Sequence, residues 1–114
     1  MHVERCDFGV IVVEGKTYRS DLILFPDRVR EGWWRQEGHT LHPEDLEEVW
    51  AYRPQVLVVG TGQMGRMRVT PETETRCAAE GIQLLAMRTP GACQTFNQLV
   101  KTGTRAVAAL HLTC

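Results

Sequence analysis

From residue 55 onward, apolar runs alternate with segments that carry helix start and stop signals. The runs at 55–59, 82–87 and 106–112 are mostly apolar, as is typical of strands that helices cover on both faces of a sheet. The segments between them are bounded by residues that favour helix ends, Thr70-Pro71 with Gly81 and Thr89-Pro90 with Gly103. Because crossovers between parallel strands are right-handed, this half of the chain predicts a β-α-β-α-β unit with three parallel strands.

The first half of the chain predicts antiparallel strands. Residues 8–13 and 16–24 are rich in β-forming side chains, and Glu14-Gly15 between them tolerates positive φ. This pattern favours an N-terminal β-hairpin that adds antiparallel strands to one side of the sheet. The sequence further predicts a short strand at 29–35 and a helix that opens at Pro43. Since 114 residues fit one domain, we expect a single α/β domain over residues 1–114.

Charge and hydropathy exclude two classes of partner. The chain has 13 basic and 14 acidic side chains and a net charge of −1, without a basic stripe interleaved with aromatic residues. It is therefore not expected to bind nucleic acid. The longest apolar stretches fall far short of the roughly 20 residues of a membrane span. The first residues do not have the pattern of a secretory signal, so we expect a cytoplasmic protein whose four cysteines are free thiols.

Three glycines spell the dinucleotide-binding fingerprint G-x-G-x-x-G: Gly60, Gly62 and Gly65. In a dinucleotide-binding unit the last glycine leads directly into a helix, and an acidic residue follows the next strand. Here residues 66–69 separate the glycines from the helix start, and the strand at 82–87 runs into Arg-Thr-Pro with no acid. The motif therefore predicts a tight turn or a close backbone approach, and no cofactor.

Several short segments together resemble a known family. They are Phe8-Gly9, Glu14-Gly15-Lys16, Tyr18, Asp21, Trp34-Arg35, His39, Val59-Gly60-Thr61-Gly62, Gly81-Ile82, Thr89, Ala92, Phe96-Asn97 and His111-Leu112-Thr113-Cys114. In this order they resemble the adipogenesis-associated Mth-domain family, small domains of unknown function that include a mitochondrial NADH:ubiquinone oxidoreductase assembly factor. The resemblance covers nearly the whole chain and implies a three-layer α/β fold around a mixed central sheet. It implies no established activity, catalytic residue or cofactor, and its assembly-factor branch implies contacts with other proteins.

The carboxyl ends of the three predicted parallel strands form the first candidate site. Ligands of such sheets favour the crevice at that edge. The candidate ligand-binding residues there are Gly60, Thr61, Gly62, Arg88, Thr89, His111 and Cys114. Free amides at two helix N-termini, together with the Arg88 guanidinium, would suit a small anion or a carboxylate. The sequence thus keeps open a small-molecule or anion-binding protein, conceivably an enzyme.

His111 and Cys114 also permit two chemical hypotheses. As metal ligands they supply two donors where structural zinc needs four, so no metal site is predicted. As a nucleophile and its base, they would need a lowered thiol pKa at Cys114. A thiol redox or metal role of Cys114 stays open beside the simpler interpretation, in which both side chains close the end of a strand by hydrogen bonds.

The adjacent tryptophans Trp33 and Trp34 form the second candidate site. Neighbouring residues of a strand point to opposite faces, so one tryptophan should be buried and the other exposed. Tryptophan is enriched at interface hot spots, which makes the exposed one a partner-contact candidate. No complete catalytic set accompanies it. The sequence therefore favours a non-enzymatic interaction or assembly-type module, with an unidentified protein or a second copy of itself as partner.

Overall fold

Ten strands and three α-helices follow one another along residues 1–114, all of which the computed structural model describes. The strands are β1 (Val3–Asp7), β2 (Val10–Val13), β3 (Lys16–Tyr18), β4 (Leu22–Leu24), β5 (Val29–Glu31), β6 (Thr40–Leu41), β7 (Val56–Gly60), β8 (Arg68–Val69), β9 (Gln83–Met87) and β10 (Ala106–Leu110). The helices are α1 (Glu47–Tyr52), which a 3-10 turn at Pro43–Leu46 precedes, α2 (Pro71–Ala79) and α3 (Thr89–Lys101). None of the helices is long and apolar enough to cross a membrane.

A mixed five-stranded sheet forms the centre of the fold, with the order β5-β4-β10-β7-β9. Strands β10, β7 and β9 are parallel, which confirms the predicted β-α-β-α-β unit, and β4 and β5 are antiparallel to their neighbours. Every residue of β7 and of β10 is buried, as their apolar sequences require. In register, Leu110 lies beside Gly60 and Gly60 beside Met87, so the carboxyl ends of three strands meet at one edge.

The predicted N-terminal hairpin is present, but it belongs to a different sheet. Glu14 (φ 49°) and Gly15 (φ 78°) form the left-handed turn between β2 and β3 that suits strand twist. Strands β1, β2 and β3 make a separate three-stranded sheet. The expected single strand at 16–24 divides at residues 19–21, and only its second part, β4, joins the central sheet. The antiparallel strands added to that sheet are therefore β4 and β5.

The molecule has three layers, because alternate residues of the central strands face opposite sides. Val58 and Ala108 pack toward α3 and the N-terminal sheet, together with Phe96. Leu57 and Val107 pack toward α1 and α2, in the second apolar cluster. Each cluster contains 14 buried residues, so the sheet is covered on both faces. The three-layer α/β architecture is thus confirmed.

The helix boundaries follow the local signals, with one exception. Thr70 caps α2, its hydroxyl accepting from the Thr73 amide at 3.1 Å, and Gly81 (φ 71°) follows that helix. The expectation that Thr89 caps α3 is wrong: Arg88 precedes the helix, and the Thr89 hydroxyl is bonded elsewhere. After the glycine motif the chain forms the short strand β8, which pairs with β6, before α2 begins at Pro71.

Candidate functional site

The segments at the carboxyl ends of the parallel strands β7, β9 and β10, which the sequence predicted to share one edge, are in direct contact. The His111 amide donates to the Gly60 carbonyl at 3.0 Å, and the Thr61 amide donates to the Met87 carbonyl at 2.8 Å. The Thr89 amide, at the start of α3, donates back to the glycine loop. The three predicted segments, 60–62, 88–89 and 111–114, therefore form one continuous edge.

One buried hydroxyl joins all three segments. Thr89 is fully buried, and its Oγ1 accepts from the Gly62 amide at 2.9 Å and donates to the His111 carbonyl at 2.5 Å. A hydroxyl that both donates and accepts satisfies two backbone groups that would otherwise be unpaired in the interior. The role of Thr89 in this edge is therefore structural.

The glycine loop is closed by residues 111–114 of the same chain. The Gln63 amide donates to the Thr113 carbonyl at 2.7 Å, and the Arg66 amide donates to the Cys114 carbonyl at 3.0 Å. Gly62 has a φ of 108°, and a Cβ there would lie 2.3 Å from the carbonyl carbon of Cys114. The motif thus serves a close backbone approach, as the sequence predicted. Its amides at residues 62, 63 and 66 are occupied by the chain itself, which leaves them unable to bind an anion.

Arg88 and Cys114 lie at the rim of this edge. Arg88 is exposed, packs beside Gly65, and has neither an ion pair nor a side-chain hydrogen bond. Cys114 is partly buried, and the Nε2 of His111 has no hydrogen-bond partner, so the two residues do not form a bonded nucleophile–base pair. No three His, Cys, Asp or Glu side chains are grouped as a metal site requires.

Beneath this edge lies a buried ionic cluster that the sequence did not single out, formed by Asp21, Arg35 and His111. One carboxylate oxygen of Asp21 bonds His111 Nδ1 at 2.7 Å and Arg35 Nη2 at 2.8 Å, and the other accepts from the Leu112 amide at 2.8 Å. The side chains of Arg35 and His111 are only 5% and 6% exposed. Burial acts to raise the pKa of Asp21, but the bonds from His111, the Leu112 amide and Arg35 outweigh it and lower that pKa.

Two polar atoms of this cluster have no partner. They are Arg35 Nη1 and His111 Nε2, both buried. The other guanidinium nitrogens of Arg35 bond the Gly38 carbonyl, and the His39 ring lies edge-on to His111 with centroids 5.7 Å apart. Asp21 and Arg35 had appeared only as segments of the family resemblance. No local spacing could have joined them to His111, which is distant from both in sequence.

Trp33 and Trp34 differ in burial as expected, but the difference does not arise from alternation along a strand. Strand β5 ends at Glu31, so both lie outside it, and the strand argument for them is wrong. Trp33 is buried, and its indole nitrogen donates to the Asp45 carbonyl at 2.9 Å. Trp34 is 87% exposed. One tryptophan is thus part of the core and the other lies at the surface.

The loop that carries Trp34, residues 32–36, is held on both sides of the exposed ring. The Gly32 amide donates to Ser20 Oγ at 3.0 Å, and the Gln36 amide donates to Asp45 Oδ1 at 3.1 Å. Between these points, Trp33 is buried on one side of Trp34 and the Arg35 side chain on the other. Two surface clefts of about 480 and 440 Å³ share this loop as a wall. We call residues 32–36 the Trp34 loop.

Comparisons with known proteins agree on one family and one fold. A family model described as "Protein of unknown function (DUF498/DUF598)" matches residues 3–111. A conserved hypothetical protein from Pyrococcus horikoshii is 27% identical over 100% of both chains, with a TM-score of 0.79. A protein from Bordetella parapertussis is 29% identical over 96% of this chain and 92% of that chain, with a TM-score of 0.82. A Mth938-like domain from Bordetella pertussis has the same fold at 24% identity and a TM-score of 0.80, covering 97% of this chain and 85% of that chain.

Proposed function

The chain belongs to the DUF498/DUF598 family of proteins of unknown function, and from that premise we propose that it is a non-enzymatic protein-interaction module whose partner docks on the Trp34 loop. The observation that supports this proposal is the 87% exposure of Trp34 on a loop fixed at both ends. The Mth-domain resemblance, with its assembly-factor branch, agrees with such a role.

The energetic argument rests on the area that the indole leaves in water. An aromatic side chain buries roughly 150–250 Å² when it is fully covered, which corresponds to about 4–6 kcal/mol at roughly 25 cal/mol per Å². Binding usually loses part of this gain in ordering the loop that carries the side chain. Here the loop is already held by the bonds at Gly32 and Gln36, so this part of the cost of binding is small.

The surroundings of Trp34 indicate what the partner should offer. The larger cleft is lined by the carboxylates of Glu44, Glu47 and Glu48 as well as by Arg30. The smaller cleft is lined by Arg19 and Ser20. Glu48 is already paired with Arg30 at 3.3 Å, whereas Glu44 and Glu47 have no ion pair. A fitting partner carries an apolar pocket for the indole and basic side chains on the side of Glu44 and Glu47, since complementary charge at the rim steers association.

The test compares affinity capture by the wild-type chain, Trp34→Ala and Met64→Ala from the native organism, quantified by mass spectrometry. Met64 is a matched control because it is also a large exposed apolar residue, at 62%. A hot-spot truncation costs about 2 kcal/mol or more, so Trp34→Ala should reduce capture of the specific partner about 30-fold or more, while Met64→Ala retains it. Equal capture by Trp34→Ala, with unchanged circular dichroism, would contradict the proposal. Sedimentation of the wild-type chain and Trp34→Ala tests a second copy as the partner.

A second candidate function is the binding of a small anion or carboxylate at the strand-end edge. The observation that favours it is the exposed Arg88 guanidinium, which has no carboxylate partner in the chain. Phosphate, sulfate and simple carboxylates should then raise the thermal midpoint of the wild-type chain. Arg88→Gln should abolish that shift, and Arg68→Gln, at another exposed arginine, should keep it. An anion shift that survives in Arg88→Gln excludes Arg88 as the ligand-binding group.

A further inference from the structure

The two edge strands of the central sheet, β5 and β9, differ in how they meet solvent. β5 carries the charged side chains of Arg30 and Glu31. β9 contains no charged residue and no proline, and its pairing with β7 is free of bulges. Natural sheets protect their edges with charges, prolines or bulges, because the unpaired backbone groups there can bind another strand. The edge of β9 has none of these features and is therefore open to a further strand.

The hydrogen bonds of β9 show which of its backbone groups are free. The Gln83 amide donates to the carbonyl just before β7 at 3.0 Å, and the Met87 carbonyl accepts from the amide just after β7 at 2.8 Å. Since successive residues of a strand alternate, Gln83, Leu85 and Met87 direct their backbone groups toward β7. The amides and carbonyls of Leu84 and Ala86 point away from β7, where the sheet has no further strand.

The apolar side chains of β9 are only half covered. Leu84 packs at the margin of the cluster under α1 and α2, and Leu85 and Met87 pack at the margin of the cluster under α3. Helix α3 lies mainly over β7 and β10 rather than over β9. All three side chains are therefore partly exposed, and Ala86 is exposed. Both apolar clusters thus end at this edge in side chains that water can reach.

We propose that a second copy of this chain pairs with β9, antiparallel and about a two-fold axis, so that the two central sheets become one continuous sheet. The outward backbone groups define the register. With Leu84 opposite Ala86 of the second copy, the free amides and carbonyls of both residues all gain partners across the axis. Leu85 then lies opposite Leu85 of the second copy, close enough for the apolar clusters of the two copies to meet.

The charges at the two ends of β9 favour a second copy as the occupant. Glu80 precedes the strand, and Arg88, which has no ion pair within the chain, follows it. Antiparallel pairing therefore brings Arg88 of each copy toward Glu80 of the other. Glu80 also bonds Arg76 of its own chain, but a carboxylate has lone pairs for a second arginine. An edge that matches itself in hydrogen bonds, apolar side chains and charge fits a symmetric dimer.

Sedimentation equilibrium of the full chain over a concentration series tests this dimer. The wild-type chain should reach twice the mass of one chain. Leu85→Glu and Leu85→Lys should each raise the dissociation constant about 100-fold or more, because like charges would face each other at the axis. An equimolar mixture of the two variants should regain the dimer, since opposite charges then meet. Val29→Glu is the matched control and should dimerise as the wild type does, because Val29 is a partly buried residue of the other edge strand that packs against the same cluster.

Hydrogen exchange of the wild-type chain gives a second measurement that requires no variant to fold. The Leu84 and Ala86 amides should exchange more slowly at concentrations above the dissociation constant than below it, because the second copy then bonds them. A wild-type chain that stays monomeric throughout the series overturns the proposal, and so does a dimer in which these two amides stay unprotected. The Trp34 loop follows β5, at the opposite edge of the sheet, so Trp34→Ala should dimerise as the wild type does. Loss of the dimer in Trp34→Ala would place the contact at that loop and overturn the assignment to β9.

Discussion

Replacing Asp21 with alanine tests how much of the stability depends on its partly buried carboxylate, which bonds both His111 and Arg35. The carboxylate accepts three hydrogen bonds, from His111 Nδ1, Arg35 Nη2 and the Leu112 amide, all between 2.7 and 2.8 Å. Asp21→Ala removes all three acceptors at once. It also leaves the Arg35 guanidinium, whose side chain is 5% exposed, without a counterion.

The expected loss follows from the cost of an uncompensated buried charge. Breaking a buried ion pair by removing one partner costs about 3–5 kcal/mol, because the remaining charge stays desolvated. Arg35 keeps its bonds to the Gly38 carbonyl, which places the expected loss near the lower end of that range. Since a domain of this kind has a total stability of about 5–15 kcal/mol, the variant should still fold but with a clearly reduced free energy of unfolding.

Urea unfolding followed by circular dichroism measures this loss against a matched control. Asp7→Ala removes a carboxylate that also accepts from an arginine, Arg5, but on the surface, where its side chain is 51% exposed. That variant should lose at most about 1 kcal/mol. The double variant Asp21→Ala/Arg35→Met should recover part of the loss, since it removes the unpaired charge. A loss below about 1 kcal/mol in Asp21→Ala would refute the reasoning.

The same carboxylate determines a pH dependence. The folded-state pKa of Asp21 lies below its ordinary value, so its stabilising contribution is fully present above the unfolded-state pKa of about 4. The contribution is lost as the pH falls through that value toward the lower folded-state pKa. The free energy of unfolding should therefore fall more steeply with acid in the wild-type chain than in Asp21→Ala. Parallel curves would show that Asp21 has the same pKa in both states.

Three further variants test individual contacts. Gly62→Ala should lower the free energy of unfolding by at least about 3 kcal/mol or fail to fold, because its Cβ would lie 2.3 Å from a backbone carbonyl carbon. Gly81→Ala is the control, because Gly81 also has a positive φ but open space around it. In the same urea experiment it should lose only about 1 kcal/mol. Thr89→Val should lose about 1–3 kcal/mol, because it leaves two buried backbone groups unpaired, whereas Thr89→Ser keeps the hydroxyl and most of the stability. His42 should titrate by NMR above its ordinary pKa, because its ring bonds the Glu37 carboxylate at 2.6 Å, and Glu37→Gln should bring that pKa down.

The parallel half of the fold was predictable because its signals are local. Continuous apolar runs identify strands that are covered on both faces, and the residues at 70–71 and 81 mark the ends of α2 without reference to the rest of the chain. The division of the stretch at 16–24 was not predictable in this way. Arg19, Ser20 and Asp21 interrupt its β-forming residues, but this local signal does not show that the chain leaves one sheet there and enters another. The break occurs where Asp21 bonds His111 and Leu112, a contact with the other end of the chain.

The candidate site shows the same distinction between local and distant causes. Parallel strands place their carboxyl ends together, so topology alone was sufficient to bring Gly60, Thr89 and His111 to one edge. Topology does not reveal which backbone amides remain free, and most of those in the glycine loop are used internally. The pairing of Asp21 with Arg35 depends on side chains that meet only after the layers have packed.

A series of contacts links the interior of the molecule to the loop that carries the exposed Trp34. Gly62 gives residues 111–114 room to close the strand-end edge, and His111 from that segment bonds Asp21. Asp21 in turn bonds Arg35, whose side chain is buried and which directly follows the exposed Trp34 in the chain. A substitution at Asp21 should therefore weaken both folding and partner capture, since it loosens the Trp34 loop. Trp34→Ala removes a side chain that contributes little to the core, so it should weaken capture alone. That difference would separate a residue that contacts the proposed partner from one that positions the contact.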